Sequence, residues 1–312
     1  MIRHPQAARD FTVSNRIKGQ TNENYTRTGS GNRFHGSPPR VHTRRTFGRT
    51  RHAGVGSLLV TGLARTQSPS RSIQCLNSLR QLTAAWRQYS QDYRDLLLTC
   101  ETIIPPSPIL AGRTNWIEGN RDFSSTTGNW DPRVYVYASP VFPYCGPIVF
   151  RCPADQSTVL SDDNSRKARI RSRSMSQVFC RGEWLDRTYN TSQNAWRIYR
   201  SFANIVQPAK TFVFIDEHPD SINDGAFASA CAGNQPTDPL SASAIIDFPA
   251  NYHGGGCGIS FADGHCEIHK WVGSKIAKAP ITYTGNFILN IQAGDSWLDM
   301  HWLAENTTGR NQ

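Results

Sequence analysis

The sequence predicts an α+β fold in which an N-terminal amphipathic helix packs on an antiparallel β-sheet with long loops. Three stretches of the chain support this prediction. After Ser72, apolar residues recur at spacings of three and four, the pattern of one buried helix face. Thr211–Asp216 is a short run of apolar, β-branched and aromatic residues, typical of a buried strand. Two alternating segments that flank Asp263-Gly264 predict a β-hairpin.

Basic residues are concentrated at the start of the chain. The formal net charge of the 312 residues is +10, yet residues 1–71 alone hold 13 Arg and Lys against two acidic residues. Residues 1–70 show little apolar periodicity and cannot bury enough surface to offset the entropy of ordering, so they are predicted to be disordered. An alternative is a basic arm that binds nucleic acid or acidic lipid. The rest of the chain is close to neutral, which argues against a nucleic-acid groove in the body.

The predicted helix lies within residues 71–98, and the hydroxyl of Ser72 can cap its first turn. It is expected to pack on its own domain. Residues 99–280 form the predicted α+β head, with a short strand at Val134–Tyr137, and residues 281–312 form a C-terminal extension. The apolar stripe of the helix consists of Ile73, Leu76, Leu79, Leu82, Trp86, Tyr89 and Tyr93.

The hairpin prediction rests on Asp263-Gly264, a dipeptide favoured in two-residue type I′ turns. That turn places Phe261 opposite Cys266. Alternation with a period of two then gives the hairpin one core face and one polar face. The residues predicted on the core face are Cys257, Ile259, Phe261, Cys266 and Ile268.

The chain has eight cysteines and no C-x-x-C pair, which argues against a zinc ribbon or a thioredoxin-like motif. An even number of cysteines suits an exported protein. Cys145 and Cys152 are close enough in sequence to form a disulfide around a loop.

Four stretches carry a resemblance to a known group of proteins. They are residues 71–93 with Ile-Gln-Cys-Leu-Asn, Phe150–Asp155 with Cys152-Pro153, Pro208–Gly225 with Asp216-Glu217-His218, and His253 followed after nine residues by Asp263-Gly264. In this order they resemble the bacterial type II secretion pseudopilins and the prepilin-type proteins with an H-x9-DG domain. The resemblance covers about residues 71–308 and includes Trp302-Leu303 near the end.

The resemblance implies a non-catalytic, structural pilin-like subunit of a type II secretion or type IV pilus-like apparatus. Its partners would be other pilin-like subunits or secretion-apparatus proteins, and no nucleic acid. Its location would be the cell surface or the periplasm, associated with the inner membrane in relatives. The alternative is an exported metal-dependent enzyme or ligand-binding domain built on the same head.

One feature of the group is not found in the sequence. Its members begin with a short basic leader and about 20 apolar residues that anchor them in the membrane. Residues 40–70 hold Arg-Arg-Thr-Phe-Gly-Arg-Thr-Arg-His instead. Either the gene lacks the anchor or the reading frame upstream of about residue 70 is wrong, and the abrupt change in character favours the second. As written, the chain is expected not to insert into a membrane.

The acidic stretch that follows the predicted strand is a candidate calcium site. Oxygen ligands at short spacing near a glycine suit Ca²⁺, although the spacing differs from that of an EF-hand loop. The resemblance adds support, since secretion pseudopilins often hold calcium near the C-terminal sheet. The alternative is a solvated turn whose side chains bond their own backbone. The candidate ligands are Asp216, Glu217, Asp220, Asn223 and Asp224.

A second candidate set lies on the predicted polar face of the hairpin. His265, Glu267 and His269 are spaced to point the same way from one strand, so they could bind zinc or iron together with His253 and Asp263. The ordinary polar face of a half-exposed sheet is the favoured interpretation. The enzyme alternative requires Asp216, Glu217, His253, Asp263, His265 and His269 to converge in one pocket.

Overall fold

The computed structural model describes residues 55–100, 111–188, 195–285 and 287–311, with side chains from residue 70 onward. All of these belong to one compact unit, His52–Gln312. The predictions for residues 1–54 fall outside the described residues.

The described unit mixes helices and sheets, as the α+β prediction requires. Its helices are α1 Val55–Asp92, α2 Pro132–Tyr135, α3 Phe142–Cys145, α4 Ser274–Ala277 and α5 Trp297–Glu305. Its strands are β1 Thr158–Leu160, β2 Arg166–Ala168, β3 Arg173–Ser176, β4 Phe212–Asp216, β5 Ala226–Phe227, β6 Ala244–Ile245, β7 Gly256–Phe261, β8 Cys266–Lys270 and β9 Ile291–Gln292. None of the described helices combines the length and the apolar character that crossing a membrane requires.

A five-stranded sheet with the order β5-β3-β4-β7-β8 forms the centre of the unit. Its strands pair antiparallel, except that β3 and β5 are parallel. The strand predicted at Thr211–Asp216 is confirmed as β4. Every residue of β4 and of β7 is buried, so both faces of the sheet are covered.

Helix α1 covers one face of the sheet, and its residues contact β4, β7 and β8. It begins at Val55 and not at Ser72, so Ser72 lies inside the helix and is not its cap. It ends at Asp92, before the predicted boundary at residue 98, because Arg94 and Asp95 adopt left-handed conformations with φ of 56° and 66°.

The buried stripe of α1 agrees with the prediction in its middle part. Leu79, Leu82, Trp86 and Tyr89 are buried as expected. Ile73 is 61% exposed, and Tyr93, which lies beyond the end of the helix, is 52% exposed. Cys75, which is not part of the predicted stripe, is also buried on this helix. The helix therefore faces the sheet with a cysteine at the place where it meets β7.

Helix α5 covers the opposite face of the sheet. Its residues Met300 and Leu303 are buried in a cluster that includes Ile259, Phe261 and Trp271. This second apolar layer explains why β4 and β7 have no exposed side. The segment 281–312 therefore contributes to the core of the unit.

The hairpin lies where the sequence predicts it, but its turn and register are different. Gly264 donates to the carbonyl of Phe261 at 2.9 Å, and Phe261 donates to the carbonyl of His265 at 3.0 Å. Gly264 has a φ of 100°. These bonds enclose a three-residue loop that ends in a left-handed glycine, so the two-residue type I′ prediction is wrong.

The longer loop shifts the pairing by one residue, so that Ser260 lies opposite Cys266 and Gly258 opposite Ile268. A shift of one residue exchanges the two faces of a strand. Cys266 and Ile268 join the core cluster on the α1 side, whereas Cys257 and Ile259 join the cluster on the α5 side. The predicted single core face is therefore wrong.

Two further predictions are corrected. Val134–Tyr137 is not a strand, because Pro132 opens α2 and the Asp131 carboxylate caps it by accepting from the N–H of Arg133 at 2.9 Å. Cys145 and Cys152 do not pair, and both are free thiols. The disulfide among the described cysteines joins Cys100 to Cys180.

Candidate metal centre

Four potential metal ligands meet where α1 crosses the sheet. Cys75 belongs to α1, Cys152 follows a 3₁₀ turn, Asp216 ends β4, and His253 lies in the loop before β7. All four are buried, and their ligand atoms lie within 4.8 Å of one another. We call this set the junction cluster. It is a group that could hold a metal ion.

A glycine on β7 lets the helix approach closely enough to form the junction cluster. A Cβ atom on Gly258 would lie 2.6 Å from Cδ1 of Leu79, 2.7 Å from Sγ of Cys75 and 2.8 Å from Oδ2 of Asp216. Real side chains do not tolerate such distances, so any larger residue at this position would displace the helix or the ligands.

The ligand atoms of the junction cluster contact one another in pairs. Sγ of Cys75 lies 3.0 Å from Oδ2 of Asp216, and Sγ of Cys152 lies 3.3 Å from Nε2 of His253. Nε2 of His253 is 3.9 Å from Oδ2 of Asp216. Two sulfurs, one imidazole nitrogen and one carboxylate oxygen therefore face a common centre.

Arg173 on β3 neutralises part of the negative charge of the junction cluster. Its Nε donates to Oδ1 of Asp216 at 3.0 Å, and both side chains are completely buried. Its Nη2 lies 3.4 Å from Sγ of Cys75 and donates to Oγ of Ser78 at 2.9 Å. The guanidinium also donates to the carbonyl of Val149.

Neighbouring groups fix the orientation of the ligands. Oγ of Ser72 lies 3.0 Å from Nδ1 of His253, which leaves Nε2 directed at the sulfur of Cys152. The N–H of Gly258 donates to Oδ2 of Asp216 at 3.2 Å. The N–H of Ala154 points at Sγ of Cys152 at 3.4 Å. Such contacts hold side chains in one rotamer.

The two thiols differ in acidity. A hydrogen bond with Cys152 lowers the pKa of Cys75, although burial and the carboxylate of Asp216 act in the opposite direction. Burial raises the pKa of Cys152 well above its usual range, and the bond to Cys75 adds to this effect. Burial works against the charged form of Arg173, but the charges of Asp216 and the two cysteines raise its pKa overall.

Of the acidic stretch predicted to bind calcium, only Asp216 belongs to the junction cluster. Glu217 points to the other side of the strand, where Oγ of Ser174 and Oγ of Ser221 donate to its carboxylate. Burial, together with the charge of Asp247, raises the pKa of Glu217 well above its usual range. The two carboxyl groups thus lie on opposite faces, as alternation along a strand requires.

The remaining residues of that stretch bond to backbone groups. Asp220 accepts the N–H of Thr282 at 2.8 Å and that of Gly285 at 3.0 Å. Asn223 accepts the N–H of Asp224, and Asp224 accepts the N–H of the residue two positions on. Among the described carboxylates, no three of this stretch gather around one point.

The histidines and carboxylates predicted as ligands on the hairpin also lie apart from the junction cluster. Nδ1 of His265 lies 2.6 Å from Oδ1 of Asp263, and the rings of His265 and Phe261 stack with their centroids 4.1 Å apart. Nδ1 of His269 lies 3.2 Å from Oε1 of Glu267. His253 belongs to the α1 side, so the predicted zinc or iron set does not form within the described part of the chain.

Sequence reasoning found Asp216 and His253 but missed both cysteines. Cys75 is buried on the same face of α1 as Leu79 and Leu82, and Cys152 precedes a proline in a turn. The sequence signals for these two ligands were a cysteine on the buried face of the helix and a cysteine that precedes a proline in a turn. Their partners are far away in sequence, so no local pattern connects them.

Comparison with family models, with curated proteins and with solved structures finds no match for this chain.

Proposed function

We propose that the protein is a non-catalytic, pilin-like structural subunit of a type II secretion or type IV pilus-like apparatus. In this proposal the described unit is the head of the subunit, and α1 is the part that joins the head to neighbouring subunits. The location is the cell surface or periplasm, and the partners are other pilin-like subunits or secretion-apparatus proteins.

One observation carries the proposal: each of the four stretches that resemble pseudopilins contributes one residue to the junction cluster. The helix stretch supplies Cys75, the Cys-Pro stretch supplies Cys152, the acidic stretch supplies Asp216, and the H-x9-DG stretch supplies His253. The resemblance rests on separate short motifs. Their convergence at one buried point gives these motifs a common task, which is to attach the helix to the sheet.

A second contact connects the same two elements. Nη1 of Arg87 on α1 donates to the carbonyl of Asp263 in the hairpin turn at 2.8 Å. The helix is therefore attached at the junction cluster and again about three turns further along. Two attachments of this kind suit a helix that transmits force to the head.

The enzyme alternative receives less support from the geometry. It needs six residues in one pocket, and of these six only Asp216 and His253 belong to the junction cluster. The junction cluster is buried, and metal centres that are closed to solvent are typically structural, whereas catalytic zinc keeps an open position. The burial of all four ligand side chains favours a structural role.

Cross-linking in cells tests the proposed function. Ile73 is 61% exposed and lies on α1, so a photo-reactive amino acid at this position should capture a second copy or another pilin-like subunit. We expect an oligomeric ladder in the cell-envelope fraction. A matched probe at Leu240, which is 58% exposed in the loop before β6, should give no ladder. Monomer alone at both positions, in the cytoplasmic fraction, would contradict the proposal.

A further inference from the structure

We infer that the junction cluster binds one Zn²⁺ ion through Sγ of Cys75, Sγ of Cys152, Nε2 of His253 and a carboxylate oxygen of Asp216. The inference depends on the donor atoms and their spacing. It does not depend on the pilin-like role, and either one can fail without the other.

The donor types are those that zinc prefers. Thiolate sulfur, imidazole nitrogen and carboxylate oxygen are its common protein ligands, and four of them complete a closed tetrahedral site. Calcium would require roughly six to eight oxygen ligands. The junction cluster offers two sulfurs and a nitrogen at the positions where calcium would need oxygens, so it does not suit Ca²⁺.

The spacing of the donors matches a tetrahedral site. Bonds of the usual zinc lengths put neighbouring ligand atoms about 3.3–3.8 Å apart. The observed separations of 3.0 Å, 3.3 Å and 3.9 Å lie close to this range. All four ligand atoms lie within 4.8 Å of one another, so side-chain shifts that bring the more distant pairs to about 3.8 Å would complete the coordination.

Zinc also balances the buried charge. Zinc binding would displace the two thiol protons, so that two thiolates and one carboxylate would carry three negative charges, and the guanidinium of Arg173 supplies one positive charge next to them. A divalent cation supplies the other two. Burial without such compensation is costly, because charges lose their hydration.

A disulfide between Cys75 and Cys152 explains the site less well. The same structure joins Cys100 to Cys180 but leaves Cys75 and Cys152 as free thiols. A disulfide would also leave Nε2 of His253 directed at an uncharged sulfur in a buried site. Buried polar atoms aimed at non-polar partners are destabilising.

The neighbouring contacts are those of a metal-bound histidine. A zinc ligand usually donates its second ring N–H to a nearby oxygen, which fixes the tautomer. Oγ of Ser72 lies 3.0 Å from Nδ1 of His253 and fills this position. Ser72 therefore has a positioning role in the inferred site.

The test measures metal and thiols in the full-length protein. The protein is purified without chelator, and zinc is quantified by mass spectrometry; the chelated protein is then titrated with Zn²⁺ and with Co²⁺. We expect one zinc per chain and, with Co²⁺, the intense near-ultraviolet absorption of a cobalt–thiolate bond. We also expect Cys75 and Cys152 to react with an alkylating agent only after denaturation with chelator.

Three variants assign the metal to this site. Cys152→Ser should abolish stoichiometric zinc. Ser72→Ala keeps all four ligands and should weaken zinc affinity by about 10-fold to 100-fold, which keeps the test informative even where a cysteine variant fails to fold. Cys145→Ser is the matched control, because Cys145 is a free thiol outside the junction cluster, and it should bind zinc like the parent.

Three results would each overturn the inference. The first is peptide mapping that finds Cys75 disulfide-bonded to Cys152 in the purified protein. The second is a folded parent protein that takes up no zinc. The third is a Cys152→Ser variant that binds zinc as tightly as the Cys145→Ser control.

Discussion

Two adjacent residues at the end of β4 carry the same functional group in opposite surroundings. Asp216 and Glu217 are both completely buried. Asp216 faces α1, where Arg173 provides a full positive charge at 3.0 Å. Glu217 faces the other side, where the hydroxyls of Ser174 and Ser221 are its hydrogen-bond donors. Burial raises the pKa of Glu217 well above its usual range, which favours the neutral acid.

The difference shows how a sheet buried on both faces assigns two roles to neighbouring carboxyl groups. The carboxyl group beside Arg173 belongs to a set that could hold a metal ion, whereas the other is a hydrogen-bonding group in the core. Burial alone does not distinguish them, because it is complete for both. The decisive feature is a direct ion pair. Arg173 donates to Asp216 at 3.0 Å, whereas Glu217 accepts from two hydroxyls, and Arg171 lowers its pKa only through charge.

The largest predicted effect comes from removing the charged partner. Asp216→Ala leaves Arg173 buried without its counter-charge, so the free energy of unfolding should fall by about 3–5 kcal/mol. Urea unfolding of the chelated protein measures this cost without a contribution from metal. The control is Asp162→Ala at an exposed position, which should change stability by no more than about 0.5 kcal/mol. Equal costs for the two variants would refute the assigned role of the ion pair.

A smaller loss of stability is expected when Gly258, which lets α1 approach β7 closely, is replaced. Gly258→Ala adds a methyl group where Leu79, Cys75 and Asp216 leave no room, and such overpacking costs about 1–3 kcal/mol. The same change should weaken zinc binding, because it displaces two ligands. Gly309→Ala, where the added atom has open space, is the matched control. If both alanine variants unfold at the same urea concentration, the close approach is not required.

The smallest effect at neutral pH is predicted for Glu217→Gln. A glutamine has the shape of a protonated glutamate, and the hydroxyls of Ser174 and Ser221 remain to bond it. The change in unfolding free energy should stay within about 1 kcal/mol. A loss as large as that of Asp216→Ala would show that Glu217 is charged and paired in the folded state.

The pH dependence of the same variant sharpens the comparison. A carboxyl group with a raised pKa stabilises the folded state fully below its ordinary pKa of 4.5, and this contribution is lost as pH rises toward the raised value. Glutamine does not titrate. As pH rises from about 5 into the alkaline range, the melting temperature of Glu217→Gln should therefore rise relative to that of the parent. A constant difference across this range would contradict the raised pKa.

The sequence alone identifies the elements of this fold better than their exact geometry. The stripe around Leu82 and Trp86 predicts α1, and the β-branched run predicts β4. The hairpin register was wrong because Asp-Gly also fits a three-residue loop, in which Gly264 is the left-handed residue. One extra loop residue was enough to move Cys266 to the opposite face.

The junction cluster could be predicted only in part. Asp216 and His253 stand out locally, the first at a strand end and the second before three glycines. Cys75 and Cys152 have no short-range relation to them, and they come together only when α1 crosses β7. The predicted histidine and acidic sets were assembled from neighbours in sequence, whereas the observed set is assembled by tertiary packing.

In our interpretation the junction cluster attaches α1 to the sheet. Hydrogen–deuterium exchange of the full-length protein, with zinc and after chelation, tests this attachment most directly. We expect amides of residues 75–89 to lose protection on chelation, while those of α5 on the opposite face keep theirs. Equal protection of residues 75–89 in the two states would contradict it.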